Sequence, residues 1–470
     1  MSTHPLKKAV LVGIQLPKTT PDELQNSLDE LRRLVTTLGY EVIGQVTQKR
    51  GSDRSSSVLG EGKLKELARW TGGDGVIEAL FKPTKTKAAL KREAEGADAV
   101  VDEEDDDQER EVAGDETAAD SSENEILEGE ADIVIVDTDL SPSQLRNLES
   151  ASGAPVLDRT GVIIEIFSRH AKTRAARLQV EIARLTYVAP RLRAGATGGD
   201  QQGGGGKGAG ETKLELDKRN IRDRIKELKT ELASIDNEHE IRRARRQQEN
   251  TVALVGYTNA GKSSLMRALT GSEIYVADKL FATLDTTIRP MQPESIPKVL
   301  ISDTVGFIKK LPHDLVASFK STLDEALHAS LLLFVVDASD PSFRAQYEVT
   351  RSVLNEVGAV DAPSLLIMNK RDCLSPQQLS ELKLEFPDAI FISTRDKEDL
   401  KMIRSKILSY FEGDMIEESL LIPFHVQGVI GEVRRRARVL SESYTDKGVT
   451  LKLRAHPEVL AHLNEIVKGK

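Results

Sequence analysis

Residues 1–157 alternate between apolar runs and amphipathic segments, a pattern typical of a small α/β domain. The apolar run Lys8–Ile14 predicts a buried strand, and Pro21–Leu38 carries leucine and valine at helical spacing. Glu41–Gln48 and Ile133–Val136 predict two further strands. We therefore expect these residues to form an N-terminal α/β domain.

Two longer helical patterns occupy residues 158–248. Each repeats apolar residues at alternating spacings of three and four, from Val162 to Leu192 and from Ile221 to Ile235. Such spacing gives each helix one narrow apolar stripe, so we expect the helices to pack as an antiparallel hairpin. Its tip, residues 195–210, is too rich in glycine to fold alone.

Continuous apolar runs in residues 249–412 are typical of strands that are buried on both faces. We expect a mostly parallel sheet there, with helices on both faces. The runs are Val252–Val255, Val299–Ile301, Leu331–Val336 and Leu365–Met368.

Residues 413–470 predict a small C-terminal α/β unit. Strands are expected at Ile422–Phe424 and Val449–Leu453, with a helix at Val429–Leu440 between them. The complete fold class is therefore multidomain α/β.

Composition supports several domains and excludes a membrane span. A chain of 470 residues has the length of about three domains. Its residues are 39% hydrophobic and 30% charged, and no apolar run approaches the roughly 18 residues of a membrane span. The N-terminus has no signal or transit pattern, so we expect a cytoplasmic protein. The single cysteine, Cys373, excludes an internal disulfide framework and a cluster of zinc thiolates.

The net charge of −10 is not spread evenly along the chain. Acidic residues are concentrated at about residues 93–131, where aromatic residues are almost absent. This composition is typical of a disordered linker, with a dedicated binding element as the alternative. Without this insert the remainder is basic, so the net charge does not exclude a polyanionic partner.

A phosphate-binding loop follows the strand Val252–Val255. The pattern is glycine, four other residues and Gly-Lys-Ser, and a helical segment comes next. Lys262 can reach the β- and γ-phosphates, and Ser263 can bind magnesium, while the glycines turn backbone N–H groups towards phosphate oxygens. The loop consists of Gly256, Tyr257, Thr258, Asn259, Ala260, Gly261, Lys262 and Ser263.

Two later motifs come in the order expected of a guanine-nucleotide site. Asp303 can hold a magnesium-bound water, and the N–H of Gly306 can sense the γ-phosphate. Asn369–Asp372 fits the pattern NKxD, in which the carboxylate accepts hydrogen bonds from the ring N–H and the amine of guanine. Adenine lacks that donor pair, so the sequence predicts a guanine site. The alternative is an α/β domain in which these motifs coincide by chance.

Between these motifs, Phe281–Thr287 is polar and rich in threonine, as expected of a mobile switch with one hydroxyl on magnesium. Thr283, Thr286 and Thr287 are candidates for that ligand, and spacing does not distinguish them.

Phe307 follows Gly306, where many GTPases have a glutamine that orients the attacking water. A phenyl ring cannot orient water by hydrogen bonding. We therefore hypothesise slow intrinsic hydrolysis that a partner stimulates. His313 is a candidate replacement base, although a surface role is the simpler interpretation.

Basic residues flank the glycine-rich loop on both helical arms. They form either a solvated surface or contacts to a polyphosphate, since the flexible loop can follow an irregular surface. Few aromatic residues accompany them, which disfavours a protein that stacks single-stranded bases. They are Arg169, Lys172, Arg174, Arg177, Arg191, Arg193, Lys218, Arg219, Arg222, Arg224, Arg242, Arg243, Arg245 and Arg246.

These motifs together resemble the HflX family of ribosome-associated GTPases. The sequences that carry the resemblance are GYTNAGKS, FATLD, DTVGFI, LPHDLVASF, LSPSQLRNLE, DRTGVIIEIF and GETKLELDKR, and they span nearly the whole chain except the acidic insert. The resemblance implies an N-terminal α/β domain, a hairpin whose glycine loop is directed into the large ribosomal subunit, and a GTPase domain. It also implies GTP or GDP bound with Mg²⁺, and release or splitting of stalled ribosomes.

The resemblance further assigns roles to single residues. Lys262, Thr283 and Gly306 would be catalytic, and Ser263 and Thr283 would bind magnesium. Beyond the phosphate-binding loop, nucleotide contacts would come from Phe281, Ala282, Thr283, Leu284, Asp285, Asp303, Thr304, Val305, Gly306, Asn369, Lys370, Arg371, Asp372, Ser393, Thr394 and Arg395.

The expected partners are the large ribosomal subunit and its RNA, with no DNA and no membrane span, and with the protein a monomer on the ribosome. The leading interpretation is a GTPase that dissociates or rescues ribosomes. The alternative is a nucleotide-gated RNA-binding or ribosome-assembly module in which hydrolysis is incidental. A membrane-linked GTPase is disfavoured because the chain has no lipidation motif or amphipathic anchor.

Overall fold

The structure is a computed structural model that divides into two compact units, Met1–Arg159 and Thr160–Lys470. The four domain boundaries given above remain predictions. Most of the acidic insert and the whole glycine-rich loop fall outside the described residues. The structure describes residues 6–52, 55, 57–77, 129–192, 213–246, 250–271, 280–281, 287–295, 298–309, 326–359, 362–413, 415–424 and 428–468.

The first unit contains a parallel sheet and the helices that cover it. Its strands and helices are β1 (Lys7–Gln15), β2 (Tyr40–Lys49), β3 (Ile133–Val136), β4 (Val156–Asp158), α1 (Pro21–Thr37), α2 (Glu61–Thr71) and α3 (Pro142–Ser152). The strand order is β2-β1-β3-β4, and every pairing is parallel. Thr20 and Ser141 start α1 and α3 with capping boxes, which fix where these helices begin.

The end of the predicted insert belongs to this folded unit. The N–H of Gly129 donates to the carbonyl of Arg69 at 2.7 Å, and the N–H of Ala131 donates to that of Trp70 at 2.8 Å. Ala131 is buried. Residues 129–131, which composition places in the insert, are therefore held against α2 by backbone hydrogen bonds.

The helical hairpin is present, but its first arm is shorter than the sequence predicts. A break at residues 171–173 separates α4 (Arg159–His170) from α5 (Arg174–Val188), because Thr173 accepts a hydrogen bond from the Ala176 N–H and caps a new helix. Val162 and Ile166 lie on α4 and are not part of the hairpin core. That core joins α5 to α6 (Lys213–Arg246) through Leu178, Ile182, Leu185, Ile225, Leu228, Leu232 and Ile235.

Ion pairs show that α5 and α6 run antiparallel. Arg174 contacts Glu231 at 2.7 Å, and Arg224 contacts Glu181 at 3.3 Å, so residues early in one helix face residues late in the other. A short 3₁₀ turn, Ala189–Arg191, follows α5.

The central sheet of the second unit confirms the mostly parallel fold. Its strands are β5 (Asn250–Val255), β6 (Thr287–Pro290), β7 (Val299–Asp303), β8 (Leu331–Asp337), β9 (Ser364–Asn369) and β10 (Ile390–Phe391). The order is β10-β9-β8-β5-β7-β6, and among the described strands of this sheet only the pairing of β6 with β7 is antiparallel.

Helices cover both faces of this sheet, as predicted. The helices are α7 (Lys262–Thr270), α8 (Phe343–Val357), α9 (Pro376–Glu385) and α10 (Lys397–Glu412). One core joins α7 and α10 to Val335 and Ile367, and a second joins α8 and α9 to Val336 and Met368. Since neighbouring residues of a strand point to opposite faces, the two cores lie on opposite sides of the sheet.

The chain ends in an antiparallel sheet of order β11-β13-β12, formed by β11 (Ile416–Ile422), β12 (Arg438–Thr445) and β13 (Gly448–Ala455). Helices α11 (Val429–Arg436) and α12 (Pro457–Lys468) share its core. The predicted helix to Leu440 is too long, because Ala437 is extended and Leu440 lies in β12. Among the described residues, no helix is long and apolar enough to cross a membrane.

Candidate nucleotide-binding site

The phosphate-binding loop connects β5 to α7 and has an unusual backbone. Gly256 and Gly261 have φ values of 153° and 95°, and Asn259 has a φ of 62°. A Cβ added at Gly256 would overlap the carbonyl oxygen of Val335, and one at Gly261 would overlap the side chain of Asn369. Both positions therefore require glycine. The loop ends at the N-terminus of α7, where backbone N–H groups favour an anion.

Lys262 begins α7, and its side chain is buried within the phosphate-binding loop. Its Nζ donates to the carbonyl oxygens of Gly256 at 2.9 Å and Tyr257 at 2.8 Å. Burial lowers the pKa of Lys262 to about 8, although the nearby carboxylate of Asp303 opposes this shift. An anionic phosphate at the loop would favour the protonated form of this amine.

Ser263 and Asp303 meet at the same loop. Asp303 ends β7 and is buried, and its Oδ2 accepts a hydrogen bond of 2.6 Å from the Ser263 hydroxyl. The neighbouring Thr304 hydroxyl donates to the carbonyl of Leu254 at 2.7 Å, which ties the end of β7 to β5. The pair supplies a hydroxyl and a carboxylate oxygen, donors that a magnesium ion accepts.

The segment after Asp303 makes contacts with the phosphate-binding loop that the sequence did not reveal. The N–H of Phe307 donates to the carbonyl of Gly256 at 3.1 Å, and the N–H of Thr258 donates to that of Phe307 at 2.8 Å. The N–H of Lys309 donates to the Tyr257 hydroxyl at 2.6 Å. The Phe307 side chain is buried. These bonds fix the segment against the loop.

Gly306 lies close to the residues that would surround a γ-phosphate. A Cβ at this position would come within 2.8 Å of the Thr258 side chain and 3.1 Å of Lys262 Nζ. Only a residue without a side chain fits so near the loop. Val305 is buried beside it.

The structure describes only part of the predicted switch. Ala282, Thr283, Leu284, Asp285 and Thr286 lie outside the described residues, as does His313. Phe281 is buried and has a φ of 57°. Its ring contacts that of Phe167 on α4 edge-on, with centroids 4.6 Å apart. Thr287 begins β6 and pairs in register with Asp303 of β7.

The predicted base-recognition motif lies at the carboxyl end of β9, next to the phosphate-binding loop. Asn369 is buried, and its Nδ2 donates to the carbonyl of Ala260 at 2.8 Å. Lys370 has a φ of 61°, and its Nζ contacts Asp337 Oδ2 at 2.6 Å. The motif is thus joined both to the phosphate-binding loop and to the end of β8.

Asp372 and the loop Ser393–Arg395 lie together at this edge of the sheet. A hydrogen bond from the Ser393 side chain lowers the pKa of Asp372, and the more distant Arg395 has the same effect. Arg395 Nη1 is 3.7 Å from Asp372 Oδ2, and its N–H donates to the Ser393 hydroxyl at 3.3 Å. The carboxylate of Asp372 is therefore held ionised, as hydrogen bonding to a guanine ring requires.

The phosphate-binding loop, Asp303–Gly306 and Asn369–Asp372 therefore lie at the carboxyl ends of β5, β7 and β9, where open α/β sheets bind ligands. Ser393–Arg395 follow the neighbouring strand β10. Cys373, which follows Asp372, is exposed. Sequence reasoning missed Asp337, Asp396 and Asp399, which lie outside the motifs and contact the base-recognition residues.

Three family models match consecutive parts of the chain. A model described as GTP-binding GTPase N-terminal matches residues 25–82 and 89–168. One described as GTP-binding GTPase Middle Region matches residues 170–246. One described as 50S ribosome-binding GTPase matches residues 251–370.

Curated relatives match over nearly the full length. The GTPase HflX of Gluconacetobacter diazotrophicus is 53% identical over 466 residues, which cover 99% of each chain. The GTPase HflX of Caldanaerobacter subterraneus is 35% identical over 470 residues, covering 98% of this chain and 94% of the relative. Among solved structures, a GTP-binding protein from Sulfolobus solfataricus in complex with GDP is 22% identical. Its TM-score is 0.40, over 86% of this chain and 98% of that one.

Proposed function

Because this chain belongs to the HflX family of GTPases, which bind and hydrolyse GTP, we propose that it couples hydrolysis to the large ribosomal subunit and dissociates or rescues stalled ribosomes. The observation that carries the proposal is one chain that combines a guanine-nucleotide site with a basic, glycine-tipped hairpin. We propose that the protein binds the ribosome in the cytoplasm and does so as a monomer.

The phosphate-binding loop would hold the nucleotide through its N–H groups and Lys262. On binding, Lys262 would exchange its hydrogen bonds to Gly256 and Tyr257 for phosphate oxygens. The N–H of Gly306 is proposed to detect the γ-phosphate, since the backbone there already lies beside Thr258 and Lys262. Asp372 and the Ser393–Arg395 loop would select guanine.

Ser263 and Asp303 are proposed to hold Mg²⁺, the first through its hydroxyl and the second through a water. Their oxygens suit the ion, and they lie 2.6 Å apart at the loop. Mg²⁺ bound with GTP would neutralise charge on the β- and γ-phosphates. We propose Thr283 as a further ligand, although it lies outside the described residues.

Stimulation by a partner is proposed from Phe307. The phenyl side chain of this residue has no group that could form a hydrogen bond to an attacking water. It is buried, and the backbone of the residue pairs with the phosphate-binding loop. A partner would supply or order the group that does so. In GTPases, groups supplied by a partner accelerate hydrolysis by about 10³-fold to 10⁵-fold.

The hairpin is proposed as the ribosome-binding element because its basic residues lie near the glycine-rich loop. Lys218, Arg219 and Arg222 are exposed on the first turns of α6, directly after that loop. On the other arm, the Arg191 guanidinium stacks on Tyr187 at 3.6 Å from the ring centroid. Arg174 and Arg224, farther from the loop, make ion pairs across the hairpin. Phosphate contacts are thus expected at the loop end.

The second candidate is a nucleotide-gated RNA-binding or ribosome-assembly module in which hydrolysis is incidental, and the buried Phe307 favours it. Sedimentation of whole ribosomes with GTP and with a non-hydrolysable analogue separates the two. We expect subunit release with either nucleotide, and repeated rounds only with GTP. Binding without release would contradict splitting and support the second candidate.

A variant that removes positive charges from the hairpin tests whether this part of the hairpin binds the large subunit. Replacing Lys218, Arg219 and Arg222 by glutamine should weaken cosedimentation with large subunits and flatten its salt dependence, because fewer counterions are released. The Kd for GDP should stay unchanged. Unaltered cosedimentation would rule out this end of the hairpin as the contact.

A further inference from the structure

Two loops that the proposed function assigns to guanine are joined by Arg371 of the NKxD motif together with acidic side chains outside the nucleotide motifs. One loop carries Asp372, and the other is Ser393–Arg395. The N–H of Arg371 donates to the carbonyl of Ile392 at 3.1 Å, which places the two loops side by side. Ser393 and Arg395 also contact Asp372 directly, and further connections run through the first turn of α10.

Asp399 is the central residue of these connections. It lies in the first turn of α10 and is 8% exposed. Its Oδ2 accepts a hydrogen bond of 2.7 Å from the backbone N–H of Ser393, and the same oxygen accepts one from Arg371 Nε. A hydrogen bond from a backbone N–H to a carboxylate is shorter and stronger than one between neutral groups.

Arg371 connects this carboxylate to a second one. Its Nη2 contacts Asp396 Oδ2 at 2.6 Å, while its Nε contacts Asp399. The planar guanidinium fixes both partners in one geometry, which a lysine could not do. Asp396 also caps α10 by accepting from the Glu398 N–H, and its backbone N–H donates to the Ser393 carbonyl at 3.0 Å. Replacing the Asp396 side chain leaves that backbone bond in place, so this residue serves as a comparison.

We infer that Asp399 and Arg371 are positioning residues that determine guanine specificity by holding the backbone of the Ser393–Arg395 loop beside Asp372. The inference rests on the proposed assignment of both loops to the base. The loop would donate backbone N–H groups to the oxygen at position 6 of guanine. Adenine has an amino group there, which repels such donors. An unsupported loop would therefore lose discrimination at position 6 while Asp372 still recognises the amine at position 2.

Three nucleotides separate these two contributions. GDP carries both the oxygen and the amine, IDP carries the oxygen alone, and ADP carries neither. Asp399→Ala should raise the Kd for GDP and for IDP by the same factor, about twofold to tenfold, since a hydrogen bond from a neutral N–H to a carbonyl oxygen contributes that much. The Kd for ADP should not rise. The selectivity for GDP over ADP should therefore fall by about the same factor.

Three further variants test whether the effect on selectivity depends on the contacts that Asp399 and Arg371 make. Asp399→Asn and Arg371→Gln should lower GDP over ADP selectivity by smaller factors, because each keeps part of the Ser393 support. Asp396→Asn should change it by less than either. Thermal unfolding and size-exclusion chromatography identify variants that do not fold. If Asp399→Ala does not fold, the asparagine and glutamine variants decide the question.

The contrary results are equally specific. An equal rise in Kd for GDP, IDP and ADP would show a merely structural role and overturn the inference, as would unchanged affinities. Asp372→Asn provides the control for the underlying assignment and should shift preference from GDP towards XDP. If that shift fails, the base site itself is wrongly assigned. If it occurs while the Asp399 variants keep their selectivity, only the positioning role is wrong.

Discussion

At the scale of single residues, Lys262 shows how the fold prepares a charged group for an anion. The side chain is buried, and its hydrogen bonds to Gly256 and Tyr257 keep it inside the loop. Burial opposes the charge, so the pKa falls to about 8 from its ordinary value of 10.5. A bound phosphate would place a negative charge beside this amine and favour its protonated form.

This pKa predicts how affinity for GDP depends on pH. Phosphate binding raises the pKa of Lys262, so the affinity for GDP is highest below pH 8, where the free protein already carries the protonated lysine. Above pH 8 the affinity falls by at most about tenfold per pH unit. Titration of GDP affinity in EDTA between pH 7 and 9 measures the effect. Lys262→Met should bind more weakly and lack this component, while retaining any effect of the guanine ring. Identical pH profiles for the two proteins would contradict the prediction.

Residues of the site differ in how far sequence could identify them. Lys262, Asp303 and Asp372 stand at fixed spacing from glycine or asparagine, so the motif alone indicates their chemistry. Asp399 is 27 positions after Asp372 in the chain and follows no motif. Its contact with the Ser393 N–H arises only when α10 packs beside β10, and no local pattern encodes it.

At the scale of elements, strands were easier to predict than helix ends. Apolar runs such as Leu331–Val336 favour a strand buried on both faces, because the run is as long as a typical strand and too short for a typical helix. The break between α4 and α5 was not predicted, although Leu178 comes 12 positions after Ile166 and does not continue the spacing of three and four. Thr173 caps the new helix within this gap. The helix beginning at Val429 ends at Arg436, where the backbone becomes extended to pair with β13.

The first unit contains a buried cluster of charged side chains at the start of α4, which the sequence did not reveal. Arg159 is 1% exposed and contacts Glu30, and its Nη1 is 2.7 Å from Asp137 Oδ1. The Ser27 hydroxyl also donates to Asp137, at 2.6 Å. Three elements of the unit therefore meet at one guanidinium.

Replacing Arg159 by methionine should destabilise the first unit by about 3–5 kcal/mol, because two buried carboxylates would lose the guanidinium between them. Trp70 is the only tryptophan of the chain and is buried in this unit, so its fluorescence during urea unfolding reports on this unit. Lys63→Met removes a partly exposed ion pair within one helix of the same unit and should have a much smaller effect. Equal unfolding midpoints for both variants would contradict the prediction.

At the scale of the whole molecule, acidic residues, basic residues and nucleotide motifs lie in different segments of the chain. The acidic residues are concentrated in the insert, while exposed basic residues lie on the hairpin next to the glycine-rich loop. The nucleotide site and the hairpin both belong to the second unit. We propose that a ribosomal partner supplies or orders the water-orienting group that the Phe307 side chain does not provide.

The rate of GTP hydrolysis with and without purified large ribosomal subunits tests this account most directly. Small subunits serve as the matched addition, and Lys262→Ala measures any contaminating activity. We predict slow turnover by the protein alone and a rise of at least about 100-fold with large subunits, towards the range of partner-activated GTPases. Rapid turnover by the protein alone, with no response to large subunits, would contradict the account.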